Sequence, residues 1–130
     1  MRGLLRKQKK MGGEIVVLVT CGNRREAKRI ARELVEDRLA ACVNVLKAPV
    51  ESTYRWKGKV ETATEYLLLI KSSRKLFPAL RAAVQRLHSY EVPEVIALPI
   101  VAGSPAYLAW LQDGLCAPEK RAARKKGKGK

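Results

Sequence analysis

The sequence predicts an α+β fold in which helices pack against one sheet. Three observations predict it. The 130 residues are the size of one domain, apolar runs typical of strands alternate with segments of helical periodicity, and the order is strand, helix, strand, strand, helix, strand, helix. That order is the split βαβ arrangement of ferredoxin-like folds, here with a long β-hairpin and an extra C-terminal helix.

Charge divides the chain into a domain with two basic ends. The sequence has 27 Lys and Arg against 12 Asp and Glu, a net charge of +15. Residues 1–13 hold five basic residues and no acid, and residues 117–130 hold seven beside Glu119, which leaves +4 on residues 14–116. We predict basic disordered tails around one near-neutral domain. A hydrophobic content of 47% excludes wholesale disorder, and an aromatic content of 5% argues against a surface that stacks nucleobases.

The first two elements follow from residues 15–36. Residues 15–21 are a continuous, β-branched apolar run, which predicts a strand buried on both faces. Asn23 and Glu26 form a predicted capping box, in which Glu26 reaches back to the start of the helix. The apolar positions that follow have the spacing of a helix with one buried stripe; they are Ala27, Ile30, Ala31, Leu34 and Val35.

The next segment predicts a long hairpin. Residues 41–56 are predicted to be extended, with Pro49 marking a bend, edge or bulge. Lys57 and Gly58 are predicted to form a tight turn, and the return strand runs from residue 59 to about 71. Arms of about 14 residues give a hairpin on the order of 45 Å long, whereas a domain of about 100 residues has a radius of gyration near 13 Å. The tip should therefore project and need cover from another chain. The predicted interface residues are Tyr54, Trp56 and Val60.

The remaining segments predict a helix, a strand and a last helix. Ser72 or Ser73 opens the helix, and residues 95–101 form a strand in which Pro99 indicates an edge position or a bulge. A cap at Ser104 with proline in the first turn opens the last helix. The apolar stripe of the middle helix is Leu76, Leu80, Val84 and Leu87.

Three cysteines bear on the compartment. Cys21, Cys42 and Cys116 cannot all pair within one chain and form no C-x-x-C motif, so we predict a reducing, cytoplasmic location. The basic start followed by residues 15–21 imitates a signal peptide that ends at a lipidated cysteine, but that apolar run is short and suits a strand. No stretch has the length of a membrane span, and no membrane partner is expected. Cys42 is expected in the core and Cys116 is interpreted as an incidental thiol.

Candidate chemistry centres on the single histidine, His88. It begins a loop at residues 88–94, while Cys21 ends the first strand. An imidazole, a thiolate and a carboxylate suit copper or zinc, so His88, Cys21 and Glu94 are candidate ligands. The alternatives are a helix-end histidine that bonds a carbonyl and a plain buried cysteine. Further candidate cleft residues are Lys71, which would balance an anion, Tyr90 and Trp110.

Catalysis is not expected. It would require Cys21 or a serine to be activated by His88 and a third group to orient the imidazole. The sequence spacing does not show that these groups meet, and no glycine loop of the oxyanion type flanks the histidine. We therefore predict a binding protein and not an enzyme.

Several motifs, in order, resemble the CutA divalent-cation tolerance family over residues 15–115. They are VTC at 19–21, LAACVN at 39–44, YRWKG at 54–58, LLIK at 68–71, HSYEVPE at 88–94 and YLAW at 107–110. The resemblance implies a ferredoxin-like fold related to the nitrogen-regulatory PII proteins, a homotrimer held by the hairpin, and a role in tolerance of copper and other divalent metals.

The resemblance transfers only part of a metal site. A copper site proposed for the family uses a cysteine within the first strand and two adjacent histidines. The matching positions here are Val19 and the pair Leu87 and His88, so only His88 is kept. Cys21 lies two residues after Val19, on the same face of a strand, which permits a substitute ligand.

Three functions stay open on the sequence alone. The first is a trimer whose cleft binds copper, another divalent metal ion or a small anion. The second is a PII-like signalling or ligand-binding trimer without its own metal role. The third is nonspecific nucleic-acid binding through the basic tails. Direct recognition of bases by the sheet is not expected, because the third strand offers only Tyr66 for base stacking.

Overall fold

The computed structural model describes residues 12–116, and the predicted order of elements is confirmed except that the first arm of the hairpin forms two strands. Both predicted tails lie outside the described residues, except residues 12 and 13, which form a turn. The elements are β1 Glu14–Cys21, α1 Arg24–Glu36, β2 Cys42–Val45, β3 Val50–Trp56, β4 Lys59–Ser73, a 3-10 turn Arg74–Leu76, α2 Phe77–Leu87, β5 Val95–Pro99 and α3 Pro105–Asp113.

The strands form one antiparallel sheet in the order β2-β4-β1-β5, and β3 extends it by pairing with β4. The two strands that flank α1, β1 and β2, are separated by β4, which is the split βαβ arrangement of a ferredoxin-like fold. β5 lies at the sheet edge, so Pro99 removes no ladder bond on the outer side. The predicted edge position of Pro99 is confirmed.

The core lies between α1, α2 and one face of the sheet. Alternate side chains of β1 point to that face. The register with β4 pairs Val17 with Ile70 and Val19 with Leu68, and all four side chains are fully buried. Burying one such side chain contributes roughly 1.5–3 kcal/mol, so this double row anchors the fold. From the helices the core receives Ala27, Ile30, Leu34, Leu80 and Val84.

The opposite face of the sheet is only partly covered. Gln112 of α3 donates a 2.8 Å hydrogen bond to the Glu14 carboxylate, which places α3 at one end of this face. On the edge strand β5, Ile96 and Leu98 remain about half exposed. Apolar surface is therefore left on the open face of the sheet.

The hairpin projects, as predicted, but its first arm is interrupted. Residues 46–49, which include Pro49, separate β2 from β3, so only β3 and the outer half of β4 leave the core. Lys57 and Gly58 form the turn with φ of 51° and 81°, the two positive values of a tight hairpin. The tip residues Tyr54, Trp56 and Val60 are exposed.

Helix caps differ from the prediction in detail. Asn23 caps α1, its side-chain oxygen accepting from the Glu26 N–H at 2.8 Å. Glu26 does not reach back, because its carboxylate accepts from Ser89 instead.

The prediction that Ser72 or Ser73 opens α2 is wrong, since both end β4, a 3-10 turn follows, and α2 begins at Phe77. Ser104 precedes α3 without a side-chain capping bond.

Two cysteine predictions are corrected. Cys42 is partly exposed because it lies on the edge strand β2. Cys116 is buried and its N–H donates to the Arg38 carbonyl at 3.0 Å, so it packs against the end of α1 and is not an incidental surface thiol. No disulfide joins any of the three cysteines. Within residues 12–116, no helix is both long and apolar enough to cross a bilayer.

We predict that Gly58→Ala destabilises the protein by about 1 kcal/mol in denaturant unfolding, because an alanine is strained at positive φ. Nothing lies within 4 Å of an added Cβ, so any loss reports backbone strain and not a clash. Lys57→Gly is the matched control and should cause no loss, since it relaxes the other positive φ. Equal stability of Gly58→Ala and the wild type would contradict the turn geometry.

Candidate metal centre and adjoining cleft

His88 lies immediately after α2 and caps it, with its N–H donating to the Val84 carbonyl at 2.8 Å. Its Nε2 lies 2.7 Å from the Thr20 carbonyl, which can only accept, so Nε2 carries the proton. Nδ1 accepts from the Tyr90 N–H at 3.0 Å. The interpretation as a helix-end histidine that bonds a carbonyl is confirmed. Nδ1 is the unprotonated nitrogen, but its lone pair is engaged by the Tyr90 N–H.

Three chemically different donors converge at this point. Cys21 Sγ, a Glu26 carboxylate oxygen and a His88 ring nitrogen lie within 4.8 Å of one another, and all three residues are buried. The separation between His88 Nδ1 and Glu26 Oε2 is 3.9 Å. The end of β1, the first turn of α1 and the end of α2 meet here, which is why residues distant in sequence form one cluster.

Glu26 holds the loop after α2 in place. Its Oε1 accepts from the Ser89 N–H at 2.8 Å and its Oε2 from the Ser89 hydroxyl at 3.1 Å. Arg29 lies 4.0 Å from Oε1, but its side chain is largely exposed. The hydrogen bonds from Ser89 are therefore the main support of this buried carboxylate.

The Cys21 thiol is held in its neutral form. Burial raises its pKa to about 12, and the negative charges of Glu26 and Glu65 add to the shift. The side chain is fully buried. At neutral pH the cluster therefore contains a protonated thiol, and a metal ion would have to displace that proton.

Tyr90 joins the cluster to its surroundings. Its hydroxyl donates to Glu65 Oε2 at 2.9 Å, and burial together with this hydrogen bond raises the pKa of Tyr90 to about 12. Its ring is tilted over the His88 ring at a centroid distance of 4.7 Å. A Cβ at position 22 would lie 3.0 Å from the Tyr90 hydroxyl, so the close approach of this loop favours Gly22.

A cleft of about 680 Å³ lies between the hairpin and the 88–94 loop; we call it the hairpin cleft. Its charged lining residues are all acidic, so it favours a cation and not the small anion considered from the sequence. Its aromatic residues are Tyr54, Trp56 and Tyr90, and its carboxylates are Glu61, Glu65, Glu91 and Glu94.

The structure brings together only part of the predicted site. His88 and Cys21 meet, but Glu94 is exposed on the hairpin cleft and Glu26 supplies the buried carboxylate. Of the predicted cleft residues, Tyr90 lines the cleft, whereas Lys71 and Trp110 do not.

The two displaced candidates have other surroundings. Lys71 Nζ hydrogen-bonds the Asn44 side-chain oxygen across neighbouring strands. Trp110 is half exposed on α3, with Tyr107 at a centroid distance of 5.5 Å. Sequence reasoning missed Glu26, Glu65 and Ser89 as contributors. The available signal for Glu26 was its position four residues before Ile30, on the buried stripe of α1.

The donor set fits a soft or borderline metal ion. Sulfur, imidazole nitrogen and carboxylate oxygen are ligands that zinc and copper accept. The bond from His88 Nε2 to a backbone carbonyl is the outer support typical of metal-binding histidines, because it orients the other ring nitrogen. Tetrahedral donors lie roughly 3.3–3.8 Å apart, so the cluster would need to contract by about 1 Å.

Comparisons with known proteins agree with one another. The family model described as CutA1 divalent ion tolerance protein matches residues 15–114. Protein CutA of Mus musculus is 50% identical over 100 residues, which cover 77% of this chain and 56% of the relative. The chloroplastic protein CutA of Arabidopsis thaliana is 48% identical over 99 residues, or 76% of this chain and 54% of the relative. The chain thus spans about half the length of these two relatives.

A comparison with solved structures covers nearly the whole length of the matched protein. The solved structure of the divalent cation tolerance protein from Thermus thermophilus matches with a TM-score of 0.77 and 47% sequence identity. The match covers 79% of this chain and 99% of that one. The ferredoxin-like fold predicted from the sequence is therefore shared with a solved structure.

We predict that stability falls as the pH rises from about 9 towards 12. The unfolded thiol of Cys21 loses its proton near 9.0 while the folded one keeps it to about 12, so the unfolded state binds fewer protons in this window and is favoured. Cys21→Ala should weaken this pH dependence in urea unfolding. Cys42→Ala, outside the cluster, is the control. Identical pH profiles for the two variants would contradict a thiol held neutral by the fold.

Proposed function

Because the chain belongs to the CutA1 divalent ion tolerance family, we propose that it binds a divalent metal ion, copper first among the candidates, as a homotrimer. The binding site is the Cys21, Glu26 and His88 cluster. The observation that supports it is the convergence of three different buried donors within 4.8 Å. The role is metal binding and not catalysis.

The chain's own groups prepare two of the donors. The Thr20 carbonyl fixes the tautomer of His88, so Nδ1 is unprotonated and lies 3.9 Å from Glu26 Oε2. Glu26 brings a negative charge into a buried site, which offsets the charge of a cation. A bound ion would supply Lewis acidity that converts the Cys21 thiol to a thiolate ligand.

Entry of an ion requires the 88–94 loop to move. The Tyr90 N–H occupies Nδ1 of His88, and both oxygens of Glu26 accept hydrogen bonds from Ser89. The Tyr90 N–H must leave before Nδ1 coordinates a metal, because that nitrogen has one lone pair, whereas the Glu26 oxygens keep further lone pairs. Binding therefore competes with local loop contacts and with the proton of Cys21, which makes affinity rise with pH.

The homotrimer rests on surface that one chain leaves uncovered. Val60 is 63% exposed and Trp56 is 44% exposed on the projecting hairpin. Ile96 and Leu98 add exposed apolar area on the open face of the sheet. Such surface and the adjacent strand edges are normally covered by another chain.

The compartment is also part of the proposal. We place the protein in the cytoplasm because three cysteines without a C-x-x-C motif suit a reducing environment. The Arabidopsis relative is named chloroplastic, so compartments differ among relatives. Fractionation of the native cell, followed by detection of the protein, decides the point.

We predict that His88→Ala, Cys21→Ser and Glu26→Gln each weaken binding of Cu(II) or Zn(II) by at least about tenfold. The first removes the imidazole, the second replaces sulfur by oxygen, and the third replaces a carboxylate by a neutral amide. Isothermal titration of the full chain with each metal measures the affinity. Glu94→Gln is the matched control, since it neutralises a carboxylate that the structure places outside the cluster.

Two results would contradict this metal centre. If His88→Ala binds as tightly as the wild type, the histidine is not a ligand. If Glu94→Gln weakens binding and Glu26→Gln does not, the donor set predicted from the sequence is correct and the cluster is not the site. Circular dichroism of each variant checks that the fold is retained.

We predict that Val60→Glu shifts the protein from trimer towards monomer in sedimentation velocity at micromolar concentration. A charge on the hairpin tip must be desolvated at an apolar interface, which costs roughly several kcal/mol per buried ion. Val35→Glu, on the exposed side of α1 at 41% exposure, is the matched control and should leave the trimer intact. A monomeric wild-type protein under these conditions would contradict the trimer itself.

A further inference from the structure

We propose that Tyr90 is a latch that keeps the metal cluster closed, and that its bond to Glu65 must break before a metal ion binds. This inference rests on the proposed function, since the closed site is the Cys21, Glu26 and His88 cluster. Tyr90 is a positioning residue and not a ligand. Its backbone N–H covers His88 Nδ1, while its hydroxyl is tied to the sheet through Glu65.

The backbone of Tyr90 occupies the nitrogen that a metal needs. Nε2 of His88 donates to the Thr20 carbonyl at 2.7 Å, so Nδ1 is the nitrogen with a lone pair, and the Tyr90 N–H donates to it at 3.0 Å. A neutral imidazole has one such lone pair. Coordination of a metal by His88 and the contact with Tyr90 therefore exclude each other.

The hydroxyl of Tyr90 holds the same residue in place. It donates to Glu65 Oε2 at 2.9 Å, and a hydrogen bond to a carboxylate is roughly twice as strong as one between neutral groups. Glu65 is 8% exposed, and no other group in residues 12–116 donates to its carboxylate. Breaking this bond leaves a buried charge without its partner, which is costly.

Glu65 is a rigid anchor because it lies where the two halves of β4 meet. The pairing of β1 with β4 ends at Cys21 and Tyr66, and the pairing of β3 with β4 begins at Val50 and Glu65. The backbone is therefore paired within the sheet on both sides of this junction. The latch joins the loop after α2 to a central strand.

Packing of the Tyr90 ring makes its two hydrogen bonds depend on each other. The ring is tilted by 52° to the ring of His88 at a centroid distance of 4.7 Å. A Cβ at position 22 would lie 3.0 Å from the hydroxyl, so the tyrosine also lies against Gly22. Since the ring has close neighbours, withdrawal of the N–H from His88 displaces the ring and its hydroxyl. We therefore expect both bonds to break in one opening step.

The latch stabilises the metal-free state alone. Its contacts are absent from the metal-bound state, so removing the hydroxyl destabilises only the free protein and tightens metal binding. The sign of this effect separates a latch from other roles. A Tyr90 that coordinated the metal, or that only supported the fold, would lose affinity when replaced by phenylalanine.

Isothermal titration of the full chain in its native assembly with Cu(II) or Zn(II) measures this sign. We expect Tyr90→Phe to bind at least about tenfold more tightly than the wild type. Tyr107→Phe removes a hydroxyl from α3, outside the cluster, and is the matched control that should leave the affinity unchanged. An unchanged or weaker affinity of Tyr90→Phe would overturn the latch.

A double-mutant cycle tests the anchor. In Glu65→Gln the acceptor is neutral and the bond is about half as strong, so adding Tyr90→Phe to this variant should tighten binding by only about threefold. An equal gain from Tyr90→Phe with glutamate or glutamine at position 65 would show that the bond between these residues is not what holds the loop.

Amide hydrogen exchange tests the latch in the metal-free protein. The N–H of residue 90 should exchange about tenfold faster in Tyr90→Phe than in the wild type, because the loop opens more often. Tyr107→Phe should leave this exchange unchanged. Equal exchange in Tyr90→Phe and the wild type would overturn the proposal although a metal binds. If the wild type binds no metal, the metal centre fails, and exchange at residue 90 still decides whether the hydroxyl holds the loop.

Discussion

The pairing of β1 with the inner half of β4 is the constraint on which the rest of the structure depends. Eight residue pairs, from Glu14 with Ser73 to Cys21 with Tyr66, fix the register of the two central strands. A shift by one residue would turn the buried row of β1 to the open face. Since β4 has 15 residues, its outer half leaves the core and can pair only with β3. The projecting hairpin and its cleft follow from this length difference.

The end of that pairing also sets the position of the buried cluster. Cys21 is the last residue of β1, and the turn through Gly22 and Asn23 starts α1 at once, which brings Glu26 back beside the thiol. The end of α2 supplies His88. A buried carboxylate is costly unless it is hydrogen-bonded, so the two bonds from Ser89 explain why the loop after α2 lies against α1.

Much of the fold could be predicted from the sequence, because periodicity and turn chemistry act locally. The core row of β1, the cap at Asn23 and the turn at Gly58 are examples. The site was predicted less well, because its residues meet only through tertiary packing. The sequence assigned Glu26 to the capping box of α1, a local role, and gave no sign of its contact with Ser89, 63 residues away. Glu94 is close to His88 in sequence, but the loop carries it to the cleft.

The loop after α2 connects the buried cluster with the hairpin cleft. Its Ser89 and Tyr90 donate to atoms that would coordinate a metal, while Tyr90, Glu91 and Glu94 form one wall of the hairpin cleft. An ion that displaces those donors must move the same backbone that shapes this wall. Displacement of those donors would therefore change the shape of the hairpin cleft. One segment supplies both the contacts that close the cluster and the charges that line the cleft, so these two parts of the molecule are connected through this loop.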